Sequence, residues 1–292
     1  MFEQLGLIGC GLMGGSFALA MKRAGLVKRV VGYSKSPSTT ERARQMGVID
    51  VEAPSALLAV SGADIVMLAI PVSATEASFK AIRHLVGPKT LIMDVGSTKR
   101  DVVDAARRTL KEHLGCFVPC HPITGKEMSG VESADVDLYA GKQVIITPIE
   151  RTLTAQLQKA SEVWTALGCH VLKMSPQAHD AAYAAVSHLP HLIAFALINS
   201  IAGQENGMNY MSLAGPGFRD FTRIAASDPK MWRDILLANR EELLTQSQMF
   251  HKALEKLEDL ISRSNGDALE TQIGQASDIR ANWRIASHPH KR

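Results

Sequence analysis

Four stretches of this chain gather residue types that could move protons or hold anions. Gly96-Ser97-Thr98-Lys99 follows an apolar run that ends at Asp94-Val95, and Cys120-His121-Pro122-Ile123-Thr124-Gly125-Lys126-Glu127 closes another. Ser187-His188-Leu189-Pro190-His191 interrupts the most apolar stretch, and Arg219-Asp220-Phe221-Thr222-Arg223 sets two guanidinium groups in an apolar, helical context. A neutral imidazole accepts a proton near neutral pH, so His121, at a strand end, is a general-base candidate. A guanidinium fork meets a carboxylate with two parallel hydrogen bonds, which makes Arg219 and Arg223 candidate anion anchors. Ser97, in a small-residue turn, can bond a reacting group, cap the next helix, or do both.

A glycine turn near the start supplies a different chemistry. Gly9, Gly11 and Gly14 are spaced as GxGxxG, after the apolar Leu5, Leu7 and Ile8 and before a helix-compatible run from Phe17 to Arg23. The first glycine permits the tight turn, the second lets a pyrophosphate approach bare backbone, and the third lets the helix pack on the strand. The helix N-terminus then faces the anion with free N–H groups. A dinucleotide site follows, with Leu12 and Met13 inside the turn, and Ile70, Pro71 and Gly96 at later strand ends. The ribose-reading position about 20 residues on holds Tyr33-Ser34-Lys35-Ser36, with no acid before Glu41. Ser34, Lys35 and Ser36 can donate to a 2′-phosphate that a carboxylate would repel, so NADP is favoured over NAD.

These residues need a scaffold of strand ends. Short apolar runs at Gln4–Gly9, Arg29–Tyr33, Asp64–Ile70, Thr90–Val95, Cys116–Cys120, Gln143–Thr147 and His170–Lys173 alternate with helical patterns at Ser16–Ala24, Pro37–Met46, Ser73–His84, Lys99–His113 and Thr152–Leu167. Continuous β-branched runs predict strands buried on both faces of a doubly wound, mostly parallel α/β sheet. From Ser175 the apolar period becomes helical, over His179–Gly203, Met208–Ala226 and Pro229–Ser262, with Asp228 as an N-cap. The reading is therefore a Rossmann domain over 1–173 and an all-α domain over 174–292. Pro190 removes a backbone donor and frees the Val186 carbonyl, so a kink is expected there. The first long helix carries more apolar surface than one domain face needs, which points to a homodimer. Leu269, Ile273, Ile279 and Trp283 are possible docking points beyond it.

Composition narrows the classes. In 292 residues, 46% hydrophobic and 21% charged, a net charge of +3 spread along the chain gives no reason to invoke nucleic acid. The four cysteines have neither disulfide-framework nor zinc spacing, so reduced thiols and no metal are expected. No secretory signal precedes the first strand, and polar residues interrupt Ala181–Ala202, which reads as a buried helix and not a membrane span. A cytoplasmic location is expected.

Behind an N-terminal GxGxxG, the GSTK, HPITGKEMSG, SHLPH and RDFTRIAASDPxMW segments in this order resemble the prephenate/arogenate (cyclohexadienyl) dehydrogenase family across nearly the whole chain. The resemblance implies oxidative decarboxylation of prephenate or arogenate in tyrosine biosynthesis, with hydride passing from C4 to a nicotinamide. His121 then corresponds to the base, Ser97 to a serine bonding both His121 and the substrate hydroxyl, and Arg223 to the substrate anchor. His191, Thr124, Gly125 and Ser187 fall at substrate-side positions, His179 and His188 are weaker candidates, and Lys126 and Glu127 stand where an entrance could be gated. Two alternatives stay open. A β-hydroxyacid dehydrogenase or imine reductase would place a lysine in the helical domain, where none occurs between Lys173 and Lys230. A non-catalytic NADP-sensing regulator would not need Ser97, His121 and Arg223 together.

Overall fold

The computed structural model describes residues 1–126 and 128–283. Strands β1 (Phe2–Ile8), β2 (Val27–Tyr33), β3 (Val51–Glu52), β4 (Ile65–Leu68), β5 (Leu91–Asp94) and β6 (Phe117–Val118) form a parallel sheet in the order β3-β2-β1-β4-β5-β6. Leu5 pairs with Val30 on one side and Ile65 on the other, so the strand order reverses between β1 and β4. A crevice at the carboxyl ends of these two strands is the usual ligand position in such a sheet. Helices α1 (Leu12–Arg23), α2 (Pro37–Gln45), α3 (Ala56–Val60), α4 (Thr75–Ile82) and α5 (Arg100–Thr109) connect the strands. Both faces of the sheet are buried. Leu5, Leu7, Phe17, Met21, Tyr139 and Trp164 pack in one cluster, and Ile8, Val66, Leu68, Phe79 and Phe117 in the other.

The expected strand over Cys116–Cys120 divides in two. Phe117 and Val118 pair with β5, Pro119 follows, and β7 (Cys120–Pro122) starts a second sheet with β8 (Gln143–Ile146) and β9 (His170–Lys173). Proline has no N–H for a ladder, so a strand change at Pro119 loses nothing. The expectation of one sheet through residue 173 is corrected accordingly: β7 runs antiparallel to β8, and β8 runs parallel to β9. Helix α6 (Thr154–Ala166) carries Trp164, whose indole N–H donates to Cys120 Sγ at 3.3 Å. All four cysteines are buried and free.

Two residues beyond β9 the chain becomes helical. Ser175 Oγ accepts the Ala178 N–H and opens α7 (Pro176–Tyr183), a π-helical turn spans Ala184–His188, and α8 (Leu189–Ala202) follows. The expected kink at Pro190 is this widened turn: with no N–H at 190 to close the ordinary turn, the backbone expands just before the proline. Next come α9 (Gly207–Ser212), α10 (Pro216–Thr222), a 3₁₀ turn over Arg223–Ala226 and α11 (Pro229–Ala238), which Asp228 caps through the Met231 N–H at 2.7 Å. The expected single helix over Pro229–Ser262 is interrupted at Asn239, where α12 (Arg240–Ser262) begins, followed by α13 (Gly266–Asn282).

Among the described residues the chain divides after Asn239 into two compact units. Ala181–Ala202, expected as a buried helix with apolar surface to spare for a second copy, is only partly covered within one chain: Ala184, His188 and Ala194 are buried. Pro176–Ala202 is, by length and mean hydropathy of 1.6, long and apolar enough to cross a membrane. Ile273, Ile279 and Trp283 are likewise exposed.

Candidate active site

The glycine turn fits a dinucleotide by the space at each position. At Gly9, with φ +96°, an added Cβ would lie 2.1 Å from the Ala69 carbonyl oxygen, and at Gly14 it would lie 1.9 Å from that of Gly9. At Gly11 it would meet nothing within 4 Å. Two glycines thus let backbone close on backbone, while the third leaves an open approach of the kind a pyrophosphate needs. Tyr139 anchors the turn by donating its hydroxyl to the Met13 carbonyl at 2.7 Å, and Ser34 Oγ accepts the Cys10 N–H at 2.8 Å. Lys35 and Ser36 are exposed beside it, and Ser36 shares its hydroxyl with Ser38. Ile70 and Pro71 follow β4. Gly96 is buried, and its N–H donates to Asp94 Oδ2.

His121 lies in the middle of β7, opposite Ile145 of β8. Its Nδ1 is 2.8 Å from His179 Nε2, and His179 Nδ1 is 2.7 Å from Asp180 Oδ1. Asp180 also accepts the backbone N–H groups of Lys99 and Arg100, at 2.8 and 2.9 Å. Tyr183 stacks on His179 and tilts against His121. Burial holds the His121 pKa well below its ordinary 6.5, reinforced by the neighbouring His179, Lys99 and His188. Burial alone would raise the Asp180 pKa, but hydrogen bonds from His179, Arg100 and Lys99 more than offset it, so the carboxyl stays below its usual range. The resting pair is a neutral imidazole backed, through a second ring, by a carboxylate.

A buried ion pair fixes the backbone beside His121. Lys99, with no exposed surface, bonds Asp94 and the Cys120 carbonyl, while Asp94 Oδ1 accepts the Cys120 N–H at 2.9 Å. Both backbone groups of Cys120 are therefore held by one pair of side chains. Ser97 departs from its expected role here. Among the described residues it bonds neither His121, whose Nδ1 is taken by His179, nor the start of α5, which Asp180 caps instead.

The loop after β7 leads to a cavity of about 560 Å³ lined by Gly125, Lys126, Met128, His191, Arg223 and Ile224, among others. His191 lies face to face with Trp232 at 3.5 Å between ring centroids, and its Nδ1 is 2.9 Å from the Ser187 carbonyl. Burial lowers the His191 pKa, and nearby Arg223 adds to the effect. The expected substrate residues Gly125, His191 and Arg223 are thus brought together. Ser187 is tied in through its carbonyl, and Thr124 is engaged structurally, donating to the Leu138 carbonyl at 3.1 Å. Lys126 pairs with Asp135 at 2.9 Å. Glu127 lies outside the described residues. His188 is buried, accepts from Asn239 at 3.1 Å, and is lowered to about 4 by burial first.

Sequence reasoning missed Asp180, Asn239 and the Lys99–Asp94 pair. Lys99 and Asp94 flank the Gly96-Ser97 turn, and two opposite charges at the end of a buried strand were the available signal. Asp180 and Asn239 gave none, because their partners are 80 and 59 residues away.

Two family models match the chain: the prephenate dehydrogenase nucleotide-binding domain over residues 17–173, and the prephenate dehydrogenase dimerization domain over 175–275. Prephenate dehydrogenase of Bacillus subtilis is 34% identical over 96% of this chain and 76% of its own length. Cyclohexadienyl dehydrogenase of Zymomonas mobilis is 34% identical over 96% and 95%. The crystal structure of A. aeolicus prephenate dehydrogenase, in complex with hydroxyphenyl propionate and NAD+, superimposes with a TM-score of 0.89 at 36% identity, over 96% of this chain and 98% of that one. A nucleotide-binding Rossmann half, a helical dimerization half and full-length relatives agree: the chain belongs to the prephenate dehydrogenase family of tyrosine biosynthesis.

Proposed function

We propose that this chain oxidises and decarboxylates prephenate, arogenate or both, to 4-hydroxyphenylpyruvate or tyrosine. The observation that carries the reading is that the strand bearing His121 runs directly into the loop that shares a cavity with Arg223 and His191. Residues 1–173 hold the dinucleotide at Gly9, Gly11, Leu12, Met13, Gly14, Ile70, Pro71 and Gly96. Residues 174–292 supply Arg223, His191 and the dimer contacts. The bound dinucleotide supplies the hydride acceptor. His121 takes the proton of the substrate's 4-hydroxyl as C4 is oxidised, and CO2 leaves C1 with its bonding electrons passing into the ring. The oxygen becomes phenolic and recovers a proton, so the base is restored. Arg223 holds a carboxylate of the substrate and Ser97 faces its hydroxyl. Because aromatisation drives the reaction, the protein's task is positioning and proton management.

Cofactor choice rests on Lys35 and Ser36, exposed after β2 with no acid beside them, which favours NADP. The NAD+ bound by the A. aeolicus relative favours the second reading, NAD. A homodimer in the cytoplasm completes the proposal. Steady-state assays of both substrates with both cofactors, with and without tyrosine, test it. Turnover with at least one substrate, and a higher kcat/KM with NADP, is expected. No reduction of either cofactor by either substrate would overturn the activity, and a preference for NAD would overturn the cofactor choice.

A further inference from the structure

We infer that His179 and Asp180 are positioning residues that fix the proton on His121 Nδ1 and so leave Nε2 as the basic atom. The inference rests on the proposed role of His121, and its logic follows the donors. Asp180 already accepts two backbone N–H groups at the start of α5, so it is held as a carboxylate and can only accept from His179. His179 Nδ1, 2.7 Å away, must then carry the hydrogen. A neutral imidazole has one N–H, so His179 Nε2 is a lone pair. At 2.8 Å, His121 Nδ1 must be the donor to it. His121 Nε2 is left as the lone pair able to take a proton.

The same chain handles the charge that follows. When a hydroxyl proton lands on His121 Nε2, no bond within the relay breaks. The imidazolium keeps its Nδ1–H on His179, and the Asp180 carboxylate stands behind that ring to balance the positive charge. Lys99 and His188 lie near and oppose a positive charge at His121, which makes a carboxylate in this position more consequential. Asn239 secures the far side by donating to the Asp180 carbonyl at 2.8 Å, and Tyr183 stacks on the relay ring.

Asp180→Asn tests the assignment because it can reverse every donor. With its amide oxygen at the Oδ2 place it still accepts the Arg100 N–H, while its NH2 at the Oδ1 place gives up the Lys99 N–H and faces His179 Nδ1, driving the proton of His179 to Nε2 and that of His121 to Nε2 as well. We expect kcat to fall roughly 10²–10⁴-fold, the scale of base loss or a wrong tautomer, with dinucleotide Kd changed by less than about threefold. Ring-nitrogen NMR of the substrate-free protein should show His121 as the Nδ1–H tautomer in the parent and the Nε2–H tautomer in the variant. If Asp180→Asn does not fold, His179→Gln and His179→Leu decide. Glutamine's amide oxygen can accept the His121 N–H, so it should retain at least about tenfold more activity than leucine. Equal loss in these two, or an Nε2–H tautomer in the parent, overturns the inference. Full activity in Asp180→Asn beside an inactive His121→Asn would overturn the relay and leave the base standing. The Nδ1–H tautomer in an enzyme that His121→Asn leaves fully active would do the reverse.

Discussion

His121 combines two properties that single residues rarely supply together: it is kept neutral, yet backed by a carboxylate two side chains away. An unperturbed histidine base would lose activity around pH 6.5. Burial, reinforced by His179, Lys99 and His188, lowers the His121 pKa, and the proton-accepting form is the neutral one, so the acid limb moves with it. The kcat/KM profile should stay level through pH 6.5 and fall only well below; a half-point at 6.5 would show that the shift is absent in the working enzyme. His121→Asn should lower kcat roughly 10²–10⁴-fold while leaving dinucleotide binding intact, read by single-turnover absorbance and fluorescence titration. Arg223→Ala should weaken substrate binding by roughly 2–5 kcal/mol, seen chiefly in KM, if its carboxylate partner is left unpaired. His121, His191 and Arg223 could be nominated from the sequence because imidazole and guanidinium chemistry is visible there. Asp180 was not, because its meaning comes from two N–H groups and a histidine that only folding brings to it.

At the scale of elements, β7 is the piece that aims the proposed base. Its position depends on the strand change at Pro119 and on the Lys99–Asp94 pair that holds Cys120 by both backbone groups. Lys99→Met removes one partner of a buried ion pair and should destabilise the protein by about 3–5 kcal/mol. Thermal unfolding would then shift down by roughly 6 °C or more, taking the lower end of the usual sensitivity for a chain of this size. An unchanged Tm would mean that the pair contributes little. Long elements such as β1, α1 and α6 were legible from apolar periodicity and turn chemistry. β3, with two residues, and α3, with five, are too short to show any period. The division of Cys116–Cys120 between two sheets was hidden because an apolar run looks the same on either one. Pro190 did mark its site correctly, and the backbone answered with a widened turn over Ala184–His188.

On the scale of the whole molecule, the helical half leaves much apolar surface in water. Leu213 is 83% exposed, Ile279 72% and Val186 71%, and no residue of α13 is buried. Patches of this extent ordinarily mark an interface, and the matching family model is a dimerization domain. Sedimentation at micromolar concentration should therefore give twice the mass of one chain, and a monomer at that concentration would contradict the dimer. The excess apolar surface was readable from the sequence, while the extent of its cover within the chain was not, since periodicity shows that a face is apolar and not which molecule covers it.

The central claim is that one small dicarboxylate is held between the base on β7 and the guanidinium of the helical half. A crystal structure with the dinucleotide and an unreactive prephenate analogue measures this directly. The account predicts Arg223 on a carboxylate of the analogue and His121 Nε2 within about 2.6–3.2 Å of its ring hydroxyl. An analogue bound by Arg223 with His121 out of reach of it, or seated in a cavity that excludes Arg223, would contradict the account.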